Sequence, residues 1–325
     1  MPHSPRPSMS EPILALSGLT RRFSTGGGFL RPARSMTAVR GVDLQVARGD
    51  IVGVVGESGC GKSTLARLAM RLLEPSDGTI RFEGQDVTHL GGRALKSLRK
   101  KLQMVFQDPY SSLDPRYTVR DCIEEPFHAL GEPVPPGRVE DLLDQVGLPR
   151  SFAESYPHQM SGGQRQRVGI ARALAYAPDF VVLDEPTASL DVSIQAQIIA
   201  LLQDLHRQRD LTYLFISHDL GLVRYFCSRI VVMYLGSVVE VMEDPHAAPR
   251  HPYTRALMES SFVPDPEARA TIVPLEGEIP SPFALPQGCP FAPRCPRVQD
   301  RCRSELPQPT ATTIGRVSCF NPIEA

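Results

Sequence analysis

Apolar and polar positions along the chain fall into short runs punctuated by glycine, proline and charge. Ile13–Leu16 and Val39–Val46 are apolar stretches on either side of the Gly/Arg-rich segment STGGGFLRPARS, and the alternation in Val42-Asp43-Leu44-Gln45-Val46 predicts a strand with one wet face. Ile51-Val52-Gly53-Val54-Val55 does not alternate. Bounded by Gly49-Asp50 and Gly56, it predicts a strand buried on both faces. A glycine-rich turn follows at once, then a helix with Leu65, Leu68, Ala69 and Leu72 on one face. Further strands are predicted around Thr79–Phe82, Leu102–Phe106, Phe180–Leu183, Leu211–Ile216 and Ile230–Tyr234. Helical pieces are predicted at Arg138–Val146 and Arg165–Ala175, and Ile194, Ile198, Leu201, Leu202 and Leu205 mark the apolar face of another helix. Strands alternating with helices predict an α/β fold with a mostly parallel sheet covered on both sides. No internal repeat is present.

Composition refines this in two ways. At 325 residues the chain exceeds the ~250–300 at which a single core stops growing, so one sizeable domain with an appendage is expected. From about residue 240 the composition shifts: 15 of the 31 prolines lie beyond it, as do Cys289, Cys295, Cys302 and Cys319 of the seven cysteines. Residues 1–12, Pro-rich and without the apolar core of an export signal, are expected to be a disordered lead-in. Residues 13–240 then form the main domain, with a helical subdomain at about 108–175, and 241–325 form a Cys/Pro-rich C-terminal extension.

Charge excludes some functions. Lys+Arg 35 against Asp+Glu 36 gives no basic footprint for nucleic acid. Among the longest uncharged apolar runs is Ile230–Gly236, far short of the roughly 20 residues a membrane helix needs. The chain is expected to be cytoplasmic.

The turn after the first buried strand reads Gly56-Glu57-Ser58-Gly59-Cys60-Gly61-Lys62-Ser63, matching G-x-x-x-x-G-K-[ST] between a strand and a helix. Glycines let successive N–H groups face phosphates, and the helix N-terminus adds its positive dipole end. Lys62 is expected to reach the β- and γ-phosphates and Ser63 to take a Mg²⁺ position. Phe180-Val181-Val182-Leu183-Asp184-Glu185 ends a buried strand in two carboxylates: Asp184 is placed to hold Mg²⁺ through water, and Glu185 to act as general base on the attacking water. Further along, Gln107 closes an apolar strand and Met160-Ser161-Gly162-Gly163-Gln164 precedes a helix with Ser161 as an N-cap candidate. Ala188-Ser189-Leu190-Asp191 follows the carboxylates, and His218 stands just past a strand end in Ile216-Ser217-His218-Asp219. Each is weak alone; in this order they are specific.

Together these motifs make the chain resemble the ATP-binding subunits of ABC transporters over roughly residues 13–325. The resemblance implies a P-loop NTPase (RecA-like) core, an antiparallel β subdomain and a helical signature subdomain. It implies that Gly56 to Thr64 cradle ATP and that Ser161, Gly162, Gly163 and Gln164 form a signature loop acting on ATP held by the opposite subunit of a head-to-tail dimer. Gln107 would sense Mg²⁺ and the membrane partner from around Pro109–Arg116, Asp191 would belong to a loop crossing the dimer, and His218 would contact the γ-phosphate. Phe23 is the candidate to stack on adenine. Met160 replaces the family's usual Leu, a volume-conserving change.

The spellings GESGCGKSTLAR, LQMVFQDPYSSLDPR, HPYTRAL at 251–257 and CPFAPRCP are similar to the oligopeptide/dipeptide permease ATPases, and Thr64 with Ser112–Arg116 to the second of their two ATPase types. That branch implies a sister ATPase as heterodimer partner, two transmembrane permease subunits and an extracytoplasmic solute-binding protein. Its substrates are peptides, nickel, glutathione or other small solutes, and its place is the cytoplasmic face of the inner membrane.

The tail cysteines lack the tight C-x₂-C knuckles of zinc ribbons. Loose spacing with proline beside two of them suits a [4Fe–4S] cluster on Cys289, Cys295, Cys302 and Cys319, which the resemblance supports; four reduced thiols packed as small hydrophobes are the second reading and zinc the third. A soluble ABC-type ATPase acting on nucleic acid or ribosomes is the other function considered. The single phosphate loop, the lack of a heptad insertion and the near-neutral charge weigh against it.

Overall fold

The computed structural model of the chain describes residues 11–25, 34–108, 110–260 and 277–324. All but the last two residues of the expected lead-in, and Pro109, lie outside them.

The chain opens with two long antiparallel strands, β1 (Leu14–Thr25) and β2 (Arg34–Val46), paired from Leu14–Val46 to Thr25–Arg34. Only the first third of β1 carries the apolar run seen in the sequence. Its polar second half is a strand because β2 lies against it, with the register shifting after Leu16 and Leu19. β3 (Ile51–Val55) leaves for a second sheet and leads through the glycine-rich turn into α1 (Lys62–Ala69). β4 (Asp77–Phe82) and β5 (Gln85–Asp86) then return to the first sheet, which has the order β2-β1-β4-β5. The helix after the turn is shorter than its apolar face suggests: α1 stops at Ala69, and Leu72 is 43% exposed.

Next come α2 (Gly92–Lys101) and β6 (Leu102–Val105), then a helical region of α3 (Val119–Leu130), α4 (Arg138–Gln145) and α5 (Gly162–Ala173). α3 and α5 begin with reciprocal capping pairs, Thr118 with Asp121 and Ser161 with Gln164, which satisfy N–H groups that the first turn leaves free. β7 (Phe180–Asp184), α6 (Val192–Arg209), β8 (Thr212–Ile216), α7 (Leu220–Phe226), β9 (Arg229–Tyr234) and β10 (Ser237–Met242) complete the body. The tail contributes α8 (Pro252–Ser260), α9 (Asp300–Ser304), β11 (Thr310–Thr312) and β12 (Gly315–Val317).

The second sheet has the order β11-β12-β10-β9-β3-β8-β7-β6. β6, β7, β8, β3 and β9 run parallel; β10, β12 and β11 are antiparallel additions. The tail therefore completes the central sheet, with Glu240 opposite Val317 and Met242 opposite Gly315. Two hydrophobic cores lie on its two faces. Val52, Val54, Phe180, Val182, Leu214 and Ile216 face α1 and the first sheet; Val55, Val181, Leu183, Phe215, Ile230 and Val232 face the helical region and the tail. This double burial removes the polar alternation from β3, β7 and β8.

Candidate functional site

The parallel strands β3, β8, β7 and β6 end on one edge, the place where α/β sheets bind ligands. β3 delivers the Gly56–Ser63 turn, β7 delivers Asp184 and Glu185, β6 is followed by Gln107, and β8 by His218. A cavity of 550 Å³ opens here, lined by the turn, Gln107, Glu185 and His218, and closed by Met36–Ala38 of β2, the β9–β10 turn at Leu235–Gly236, and Pro282 of the tail. Its size suits a nucleotide-sized ligand.

Within the turn, Lys62 is 5% exposed and its ammonium donates to the carbonyls of Gly56 (2.8 Å) and Glu57 (3.2 Å). Gly61 has φ +107°, and a Cβ there would stand 2.3 Å from the Ala38 carbonyl oxygen, so β2 can lie against the turn only because this residue is glycine. The Ser63 hydroxyl donates to Asp184 Oδ1 at 3.1 Å. Burial pushes the Asp184 carboxyl above its ordinary range, against the lowering effect of the Ser63 bond, and the neighbouring Glu185 charge adds to the rise. Such a carboxylate gains from a cation beside it, and the Ser63–Asp184 pair is a donor set that fits Mg²⁺.

Glu185 holds a left-handed backbone, φ +47°, uncommon outside glycine, with its N–H fixed to the Ile216 carbonyl at 2.9 Å. This bend turns the side chain along the strand ends. Its Oε2 accepts from Gln107 Nε2 at 3.0 Å and lies 3.2 Å from His218 Nδ1.

Other sequence candidates lie elsewhere. Ser161–Gln164 start α5 and do not line the cavity; a Cβ on Gly163 would come within 2.6 Å of Ile194 Cγ2 and one on Gly162 within 3.2 Å of Leu190 Cδ2. Asp191 caps α6 beside them and is exposed. Phe23 is also outside the cavity lining: its ring lies 4.8 Å from the Arg21 guanidinium, and Met36, its partner across β1–β2, is the residue that faces the cavity. Cys60 packs in the buried side of the turn, where burial pushes its thiol up.

Residues of the tail that motif reading passes over also touch the turn. The Glu57 N–H donates to Tyr253 Oη at 2.9 Å, and the Glu57 carboxylate accepts two bonds from Arg294, at 2.8 and 3.1 Å. Both residues stand within segments whose spelling is distinctive, HPYTRAL and CPFAPRCP, but nothing local says what they contact.

The four tail cysteines share one region: the Cys289 N–H donates to the Cys302 carbonyl at 2.8 Å, and a charge on any one of Cys289, Cys295 or Cys302 would raise the thiol of Cys319. Burial pushes the thiols of Cys289 and Cys295 up, and that of Cys319 to about 11. Among the described residues no three His, Cys, Asp or Glu side chains are gathered closely enough to hold a metal ion. Four thiols are the number and kind of donor that the expected [4Fe–4S] cluster takes.

The phosphate-loop turn on a sheet of this topology defines a P-loop nucleoside triphosphatase. Residues 39–188 match the ABC transporter family model and residues 242–302 that of the oligopeptide/dipeptide transporter C-terminal region. The oligopeptide transport ATP-binding protein AppF of Bacillus subtilis is 47% identical over 309 residues, covering 92% of this chain and 93% of AppF. Among solved structures, a dimeric post-hydrolysis state of the ATP-binding cassette MJ0796 bound to ADP and phosphate superposes with a TM-score of 0.63 at 30% identity, covering 72% of this chain and all of that one. The cbiO1 subunit of a Clostridium perfringens ABC transporter gives a TM-score of 0.61 at 28% identity, covering 71% of this chain and 88% of cbiO1. The chain belongs to the ABC transporter family, as an ATP-hydrolysing subunit of its oligopeptide/dipeptide branch. Its substrate is ATP with Mg²⁺. No helix among the described residues is long and apolar enough to cross a membrane.

Proposed function

We propose that this subunit powers uptake of di- and oligopeptides, or related small solutes, from the cytoplasmic face of the inner membrane. The observation that carries the proposal is the convergence of Lys62, Ser63, Asp184, Glu185, Gln107 and His218 at the ends of adjacent strands, while Ser161–Gln164 and Asp191 lie off that cavity. One chain holds the hydrolytic groups but not a complete enclosure, so a second ATPase presenting its signature loop supplies the rest.

In this reading the N–H groups from Gly56 to Thr64, with the α1 dipole, hold the polyphosphate, and Lys62 turns from the turn's carbonyls to the β- and γ-phosphates. Ser63, Asp184 and Gln107 are the residues that would hold Mg²⁺, which supplies positive charge to the phosphate oxygens. Glu185 takes the proton of the water that attacks the γ-phosphorus as the bond to the β-phosphate oxygen breaks. His218 and Gln107, both bonded to Glu185, orient that carboxylate, and His218 contacts the γ-phosphate. Ser161, Gly162, Gly163, Gln164 and Asp191 act on the partner's nucleotide.

Docking of the membrane partner is supported by a 480 Å³ groove next to Gln107, where Leu72 and Phe106 are exposed beside Met104, Ser111 and Pro126. A groove that sets these apolar side chains beside Arg99, Glu125 and Arg172 suits a short amphipathic cytoplasmic helix of a permease subunit. A sister ATPase, two permease subunits and an extracytoplasmic solute-binding protein complete the assembly. The division at about residue 240 belongs to the same proposal, supported by the C-terminal model starting at residue 242. Iron–sulfur ligation by Cys289, Cys295, Cys302 and Cys319 is the finer reading of the tail; iron and sulfide analysis of anaerobically purified protein beside Cys295→Ser decides it, and an iron-free wild type leaves four packed thiols.

A cross-linked affinity pull-down from native membranes tests the assembly. Recovery of a second ATPase with two multi-span proteins supports it. Recovery of ribosomal or DNA-associated chains with no membrane subunit would overturn transport in favour of the nucleic-acid alternative.

A further inference from the structure

Glu57 is an acidic residue inside a turn that holds a polyphosphate, and its charge opposes that task unless it is turned aside and neutralised. The structure does both. Arg294 meets the Glu57 carboxylate with two N–H···O bonds, 2.8 and 3.1 Å, and the Arg294 side chain is only 4% exposed. A planar guanidinium facing a carboxylate fixes its orientation as well as its charge. The backbone of the same residue is held by Tyr253 Oη at 2.9 Å. Tyr253, Tyr234 and Phe291 pack ring on ring, with Tyr234–Tyr253 centroids 4.6 Å apart and Tyr234–Phe291 5.3 Å, and Arg294 Nη1 also reaches Tyr234 Oη at 3.4 Å. Both grips on residue 57 therefore come from the tail, 196 and 237 positions away in sequence. The Glu57 side chain is absent from the cavity lining, whereas Ser58 and Gly59, which follow it, line the cavity.

We infer that Arg294, carried by the C-terminal extension, is a positioning residue for ATP binding: it draws the Glu57 carboxylate away from the phosphates and cancels its charge, so the extension is a working part of the nucleotide site. The inference rests on the reading of Gly56–Ser63 as the ATP phosphate loop.

The test is MgATP binding and steady-state ATPase kinetics on the full chain. Arg294→Ala leaves Glu57 uncompensated and raises KM for ATP about tenfold or more, with kcat little changed. Glu57→Gln added to Arg294→Ala recovers most of the loss, because no carboxylate is then left to neutralise. A purely structural role leaves the double variant no better than Arg294→Ala. If Arg294→Ala does not fold, Arg294→Lys carries the test: it keeps the charge, loses the fork and falls between wild type and the expected tenfold loss. Wild-type KM in whichever Arg294 variant folds, or a double variant as weak as Arg294→Ala, overturns the inference alone. A wild type that binds ATP no better than Lys62→Ala overturns the phosphate-loop reading and the inference with it.

Discussion

Oε2 of Glu185 lies 3.2 Å from Nδ1 of His218, on residues that end neighbouring strands 33 positions apart. The same oxygen accepts from Gln107 at 3.0 Å, so a single carboxylate gathers the groups that follow three strands. Glu185→Gln keeps the shape and hydrogen-bonding capacity but cannot take a proton. It is expected to bind ATP as wild type does while phosphate release falls about 10²–10⁴-fold. Nucleotide binding and phosphate release measured on one preparation separate the two effects, and undiminished turnover would refute the general-base role.

Lys62 is buried and held by two carbonyls of its own turn, the bonds it exchanges for phosphate when ATP binds. Lys62→Ala removes charge-assisted bonds to phosphate and should weaken ATP binding about tenfold to a hundredfold by calorimetry. Its thermal transition should shift little by comparison.

Gly163 abuts Ile194 where the start of α5 meets α6 at the signature loop. Gly163→Ala should displace the start of α5, leaving ATP binding by the isolated subunit intact while lowering ATPase turnover in the assembled dimer. Ile194→Ala in the same chain removes the clashing methyl and should restore part of the turnover. Equal turnover in all three proteins would contradict the placement of the loop.

His251 is fully buried, and burial lowers its pKa from 6.5 to about 3. Its Nδ1 accepts the Tyr253 N–H at 3.0 Å, a bond that protonation would break. Between those two pH values the unfolded chain binds a proton that the fold refuses. The stabilisation is complete above the unfolded value and is lost as pH falls, by about 1.4 kcal/mol per pH unit. Glu240, raised by burial and accepting the His251 N–H at 3.0 Å, acts in the opposite sense and is common to both proteins in a comparison with His251→Gln. Denaturant melts from pH 7.5 to 5 should show a shallower loss for His251→Gln; parallel curves would contradict the assignment.

Legibility from sequence followed the reach of the forces. β3, β7 and β8 are readable because burial on both faces leaves uniform apolar runs, and the start of α5 because its capping pair spans three residues. The polar half of β1 is not readable, since only pairing with β2 makes it a strand. β12 is equally silent: three residues of weak pattern join β10 only once the tail has folded back. In the site, the phosphate loop and Asp184–Glu185 show as local motifs, while Arg294 and Tyr253 act through contacts that no local spacing records. Phe23 illustrates the limit from the other side: its ring suits stacking, yet its cross-strand partner Met36 lines the cavity and Phe23 does not.

Energised peptide uptake bears most directly on the central claim. Membrane vesicles from cells carrying the wild-type chain, loaded with ATP inside and given a labelled oligopeptide with its binding protein outside, should accumulate the label. Vesicles carrying Glu185→Gln should bind ATP yet accumulate none. Equal accumulation in the two would contradict the account.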